Sequence, residues 1–176
     1  MPFTPLHMGP GMALKAVAQR HFSLVAFGFA QVAIDIEPLV RILRGDAVIH
    51  GLTHTYLGAL FVAAAVFPVV WFSYPLLSRW WSYHAQAHRL SAFLMPGRPQ
   101  VLPVAAGVLA GTLSHVAIDS VMHSDMEPLW PFSPSSPFYG VIGIDLLHLL
   151  CVASGVLGLL FFAVLRLALD RHRASR

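Results

Sequence analysis

The chain is predicted to be all-α: an integral membrane bundle of about five helices in a single domain, residues 1–176. An N-terminal helical hairpin is followed by three longer transmembrane helices. Three observations carry this prediction. First, 57% of the residues are hydrophobic and only 11% are charged, against about 25% charged in an ordinary soluble domain. Too few polar groups remain to cover a globular surface, so lipid is the expected solvent. Second, three long apolar segments stand out, residues 56–77, 101–122 and 138–165, none of which contains Lys or Arg. Each is about long enough to cross a hydrocarbon core of roughly 30 Å at 1.5 Å per residue. Third, the basic residues, except in the tail Arg166, Arg171, Arg173 and Arg176, sit singly at segment ends, which is how membrane orientation is set.

The N-terminal region allows two readings: one long helix over 12–36, or a hairpin of two short helices, roughly 8–19 and 22–36. The polar interruption Gln19-Arg20-His21 marks the turn of the hairpin, and only the hairpin returns Asp35 to the side where His7 started. The hairpin is preferred, in part from the charge count that follows. Residues 38–53 then connect to the first long segment, in which Pro68 removes a backbone donor and predicts a kink. Residues 78–100 form a loop whose Trp80, Trp81 and Tyr83 suit an interfacial aromatic belt. Residues 123–137, rich in Pro and Ser, read as an ordered loop before the last segment.

Numbering sides alternately puts Lys15, Arg20, Arg79, Arg89, Arg98, Arg166, Arg171, Arg173 and Arg176 on one face of the membrane and only Arg41 and Arg44 on the other. The positive-inside rule makes the first face cytoplasmic, with the C-terminus there. The opposite face, outside the cytoplasm, receives Asp35, Glu37, Asp46, Asp119, Asp125, Glu127 and most of the histidines. Scattered cations of this kind argue against a nucleic-acid partner despite the net charge of +3. A cleavable signal peptide is not expected, since the first fourteen residues carry no Lys or Arg. The one cysteine, Cys151, forms no internal disulfide and rules out Cys-rich zinc motifs.

Ionisable groups in or beside membrane helices are costly and usually mark a partner or a function. His115, Asp119 and His123 recur at i, i+4 and i+8, which on a helix forms one stripe. Such a stripe suits one or two divalent ions; the plain alternative is interhelical hydrogen bonding. His50 and His54 share the i, i+4 spacing, but Gly51 weakens a regular helix, and Thr53 or Thr55 is placed to cap the next one. His54 is the expected ligand, with His50 open between ligand and structural residue. Asp35 ends the second short helix before Glu37-Pro38, and an acid at a helix C-terminus opposes the dipole, so a cation partner is expected. Asp145 and His148 share a face by their i, i+3 spacing. They are candidates either for direct ligation or, with Asp125, for bracing ligands from behind. Imidazoles mixed with carboxylates suit zinc and similar ions. No serine-nucleophile elbow, phosphate-binding glycine loop or His-Glu-x-x-His helix competes.

Four stretches carry a family resemblance: Met-Pro-Phe-Thr-Pro-Leu-His-Met-Gly-Pro-Gly at the start, Ile-Asp-Ile-Glu-Pro at 34–38, His-Gly-Leu-Thr-His-Thr at 50–55 and Ser-His-Val-Ala-Ile-Asp-Ser at 114–120. Over roughly residues 1–150 the chain resembles the small membrane-bound, predicted metal-dependent hydrolases of bacteria and archaea. That family is distantly similar to zinc-dependent phospholipase C. The resemblance implies His7, Asp35, His54, His115 and Asp119 as metal ligands, with the metal a divalent ion, most readily Zn²⁺. It also implies that the hairpin brings His7 to Asp35. The sequence departs from many relatives in having Asp35-Ile36-Glu37 for Pro-Asp-x-Asp, and Gly51 where an Arg is common. The expectation is a membrane-embedded hydrolase of a phosphoester or related bond in a lipid or membrane-proximal substrate, in the cell (inner) membrane. Asp35 and Asp119 are the expected catalytic carboxylates. The alternative is a metal or proton transporter, or a metal-binding membrane protein without catalysis.

Overall fold

The computed structural model describes residues 5–90 and 93–174. The first four residues of the opening motif, and the side chains of Arg173 and Arg176 in the basic tally, lie outside that description. The described residues are all-helical, with α1 at Met8–Ala18, α2 at Leu24–Ile34, α3 at Ile36–Arg44, α4 at Tyr56–Ala87, α5 at Val101–Met122 and α6 at Ile144–Ala174. Single 3-10 turns cover Pro5–His7, Gln19–His21 and Leu52–His54. α4, α5 and α6 are long and apolar enough to cross a membrane. Phe61, Phe72, Leu157 and Phe161 stand exposed along α4 and α6, as expected of walls whose solvent is lipid.

The hairpin is the form adopted. α1 and α2 have 11 residues each, about 16 Å of helix, so neither crosses a full bilayer alone. Lys15 closes the turn: its ammonium donates to the carbonyls of Gln19 at 2.7 Å and Phe22 at 2.8 Å, satisfying groups that a helix end leaves open. Ser23 then caps α2, accepting from the Ala26 N–H at 3.2 Å. α1 packs along α6 and α2 along α5. The second contact is backbone-close. A Cβ on Gly111 would sit 2.7 Å from the Ala30 Cβ and 2.8 Å from the Phe27 carbonyl oxygen, and one on Gly107 would strike the Ser23 carbonyl. Ala26, Ala30, Val66, Val70, Val104 and Val108 form the core between α2, α4 and α5.

Three expected boundaries move, and one expected stripe is cut short. The connection after Asp35 is not simply a loop, because α3 occupies Ile36–Arg44. Pro38 is its third residue, inside the first turn, where a backbone N–H has no helical partner to lose. α4 runs on past Leu77 to Ala87 with Pro68 and Pro75 both inside it, so Trp80, Trp81 and Tyr83 are helical. α6 begins at Ile144, not near Phe138, since Gly140 takes a positive φ of 72°. α5 stops at Met122, and His123 is already extended, at φ −115° and ψ 121°. The predicted i+8 stripe therefore ends at Asp119.

Candidate metal centre

The hairpin, α5 and the 3-10 turn before α4 bring together residues far apart in sequence. Asp35 lies at the junction of α2 and α3, with α-helical backbone angles. It ends one helix and starts the next, so the expected misfit with the dipole is offset by the favourable N-terminus of α3. His54 is held in its 3-10 turn just ahead of α4, which Thr55 caps by accepting from Gly58 N–H at 2.9 Å. His115 and Asp119 are one turn apart on α5. One ligand atom from each of Asp35, His54, His115 and Asp119 falls within 4.8 Å of the others. His115 Nε2 lies 3.3 Å from Asp35 Oδ1 and 3.1 Å from Asp119 Oδ2, while His54 Nε2 is 3.7 Å from each carboxylate. His7 joins from the α1 side, its Nε2 3.3 Å from Asp119 Oδ1. All five side chains are buried.

Two braces decide which imidazole nitrogens face the carboxylates. Gln31 Nε2 donates to the Gly111 carbonyl at 3.0 Å, and a carbonyl only accepts, so the amide oxygen must be the atom that faces His115. Gln31 Oε1 lies 2.7 Å from His115 Nδ1, which makes Nδ1 the protonated nitrogen and leaves Nε2 turned to Asp35 and Asp119. The second brace starts at Arg41, whose Nε is 2.9 Å from Glu37 Oε1. Glu37 Oε2 accepts both the Thr53 N–H and its hydroxyl, each at 2.7 Å. Burial opposes ionisation of Glu37, but the bonds from Thr53 and Arg41 outweigh it and hold the carboxyl below its ordinary range. An ionised Glu37 accepts the hydrogen bond of the Thr53 hydroxyl. Thr53 Oγ1 then accepts from His54 Nδ1 at 3.1 Å, and His54 Nε2 also faces the acids.

Two buried carboxylates need a cation balance, because unpaired buried charge is strongly unfavourable. Protonated imidazoles or one divalent ion would supply it. His54 Nε2, His115 Nε2, both nitrogens of His7 and Asp119 Oδ1 have no hydrogen-bond partner. Nitrogens near carboxylates but outside hydrogen-bond geometry fit lone pairs directed at an ion better than shared protons. Burial drives the His7 pKa down to about 4, against the pull of Asp119, so its imidazole is neutral at pH 7. The residues present therefore fit a divalent cation.

The remaining expected residues fall elsewhere. His50 and His123 are not in this centre. With Asp125 they make a second group of three, again with ligand atoms within 4.8 Å. His50 and His54 do not share a helix as their spacing suggested, yet their ring centroids are 4.9 Å apart. Asp145 is exposed in the first turn of α6, and His148 is half-buried; neither belongs to either group. His148 is near enough to add to the lowering of the His7 pKa. Gln31, Glu37, Arg41 and Thr53 were not singled out as braces from sequence. Gln31 carried a signal, being the only strongly polar side chain within α2, LVAFGFAQVAI. Gly51 has no Cβ because Glu37 and Arg41 lie over it; an added Cβ would collide with Glu37 Oε1 and the Arg41 guanidinium.

No family model matches this chain, and no curated protein or solved structure matches it. The fold and the site still define a class: an all-helical membrane protein whose buried Asp/His cluster could hold a metal ion. The particular member of that class is characterised by the five converging side chains of His7, Asp35, His54, His115 and Asp119.

Proposed function

We propose that this protein is a metal-dependent hydrolase, acting on a phosphoester or related bond of a lipid or membrane-proximal substrate. The observation that carries the reading is the pairing of Asp35 and Asp119, both buried, with the Nε2 atoms of His54 and His115 aimed between them. His7, Asp35, His54, His115 and Asp119 would hold the ion, Zn²⁺ by the mixed nitrogen and oxygen donors. When bound, such an ion would lower the pKa of its water far below that of bulk water and would polarise a substrate oxygen. In this reading one of Asp35 and Asp119 also accepts the proton of the attacking water, while Gln31 and Thr53 keep two imidazoles in the ligating tautomer. The resemblance to the membrane-bound metal-dependent hydrolases and to zinc-dependent phospholipase C supports the same assignment.

A lipid substrate is supported by an open groove of about 680 Å³ beside Glu37 and Thr53. Val40, Val62 and Val66 give it apolar surface, and Arg44, Asp46 and the Glu37–Arg41 pair give it a charged rim, a combination suited to an amphiphile with a polar head. Orientation follows from charge. Lys15 and Arg166 flank the Phe162 ring at 5.9 and 5.2 Å, on α1 and α6 segments remote from His7. In this reading that end is cytoplasmic and the metal centre faces outward from the inner membrane.

Transport is the other reading. Below His115 the buried positions of α5 are Thr112, Gly111, Val108, Gly107 and Val104. Among the described residues of that face no acid or histidine continues the path, which favours chemistry at one face over passage. The test is Asp119→Asn, which keeps size but removes charge. Wild type purified in detergent should carry bound zinc or a similar ion and hydrolyse phospholipid in mixed micelles, sensitive to chelator. The variant should lose both while retaining its helical circular-dichroism spectrum. Wild type without metal, or metal and turnover equal in both proteins, would overturn the proposal.

A further inference from the structure

We propose that His50, His123 and Asp125 form a second divalent-cation site, weaker than the inner centre and next to it. This rests on the inner centre being a metal site, and it adds a second ion of unequal affinity. The three residues come from different segments: His50 from the coil before α4, His123 from the residue that ends α5, and Asp125 two positions later. Their ligand atoms lie within 4.8 Å of one another. The rings of His50 and His123 are 4.3 Å apart, and His50 is also 4.9 Å from His54 of the inner centre.

The group is built, not incidental. Asp125 Oδ2 accepts the backbone N–H of Ile49 at 3.2 Å and of His50 at 3.3 Å. Those bonds fix the carboxylate against the coil that carries His50. Its Oδ1 lies 2.8 Å from His50 Nδ1, so these two atoms already face each other, and an ion held by both would take the place of the proton between them. Oδ2 is taken up by the two backbone N–H groups, so Oδ1 is the Asp125 oxygen with acceptor capacity left to ligate.

Charge and burial predict the unequal affinity. The inner centre sets two buried carboxylates against one divalent ion. The outer group offers one carboxylate, with the Asp125 side chain 30% exposed, so water competes for the ion there. One carboxylate also leaves the outer ion with a net positive charge, which suits docking of an anionic substrate oxygen.

The experiment is equilibrium dialysis of the metal-stripped full-length protein against Zn²⁺, read by elemental analysis. Wild type should bind two ions per chain, with dissociation constants at least tenfold apart. His123→Ala should bind one, at the tighter constant, and Asp125→Asn, which keeps the size of the side chain, should behave likewise. Asp119→Asn should lose the tighter ion. A wild type that binds one ion, retained in His123→Ala and lost in Asp119→Asn, would overturn the second site and leave the inner centre standing. A wild type that binds none would overturn both. Loss of both ions in Asp125→Asn, with melting temperature unchanged, would overturn the separation into two sites.

Discussion

Gln31 and His115 lie 84 positions apart in sequence and 2.7 Å apart in space. This one contact ties α2 to α5 at the depth of the metal centre. It also chooses the His115 tautomer, because the Gly111 carbonyl fixes which end of the Gln31 amide faces the ring. A helix–helix contact that would otherwise be packing alone becomes part of the chemistry.

Gln31→Leu keeps the approximate volume and removes both bonds. His115 loses its tautomer lock, so metal affinity should fall about 10–100-fold, the usual cost of deleting a group behind a ligand. Zn²⁺ titration of the stripped protein checks this. Unchanged affinity would reduce Gln31 to a packing residue.

Thr53→Val deletes the hydroxyl between Glu37 and His54 at nearly constant shape, whereas Thr53→Ser keeps it. The valine variant should bind metal about 10-fold or more weakly, and the serine variant should resemble wild type. It also leaves the half-buried Glu37 with one bond fewer, at a cost of about 1–3 kcal/mol in stability. Paired metal titrations and thermal melts separate the two effects. A loss in the serine variant with none in the valine variant would show that the methyl, not the hydroxyl, matters.

His7 sets a pH dependence in the metal-stripped protein. Burial lowers its folded pKa from 6.5 to about 4, so between those values the unfolded chain binds more protons than the folded one. Stability from this group is fully present above pH 6.5 and is lost progressively as pH falls towards 4. Melts across pH 4–7 should show the decline, and His7→Gln should flatten it. A decline of identical slope in the variant would assign it to other groups.

Gly111→Val tests the close approach of α2 and α5. The new side chain meets Ala30 and the Phe27 backbone, and overpacking of this kind costs typically about 1–3 kcal/mol. It also displaces Gln31 from its carbonyl acceptor. The variant should melt lower and bind metal more weakly at once. Lower melting with unchanged affinity would separate the packing from the site.

Much of this architecture was legible along the chain because it depends on local composition. The three long apolar helices follow from run length alone, and α5 occupies residues 101–122 as read. His115 and Asp119 were legible as a pair because i, i+4 positions on a helix must neighbour each other. The polar turn at Gln19-Arg20-His21 was enough to suggest a hairpin. Spacing misled where a helix ended. His123 continues the period, but α5 stops one residue earlier, and the extended backbone there carries His123 to His50 and Asp125 instead. Pro38 likewise suggested a break where a helix starts, because proline is disfavoured inside helices but accepted in the first turn. The partners of the braces could not be read. Whether Gln31 meets His115 depends on how closely α2 packs on α5, which Gly107 and Gly111 set through the absence of side chains. Whether Thr53 accepts from His54 depends on where α3 puts Glu37. Hydrophobic pattern and charge decide which segments enter the membrane and in which direction. Long-range packing decides which nitrogen of each imidazole turns towards Asp35 and Asp119, since a proton's position is set by its partner in space and not by its neighbour in sequence.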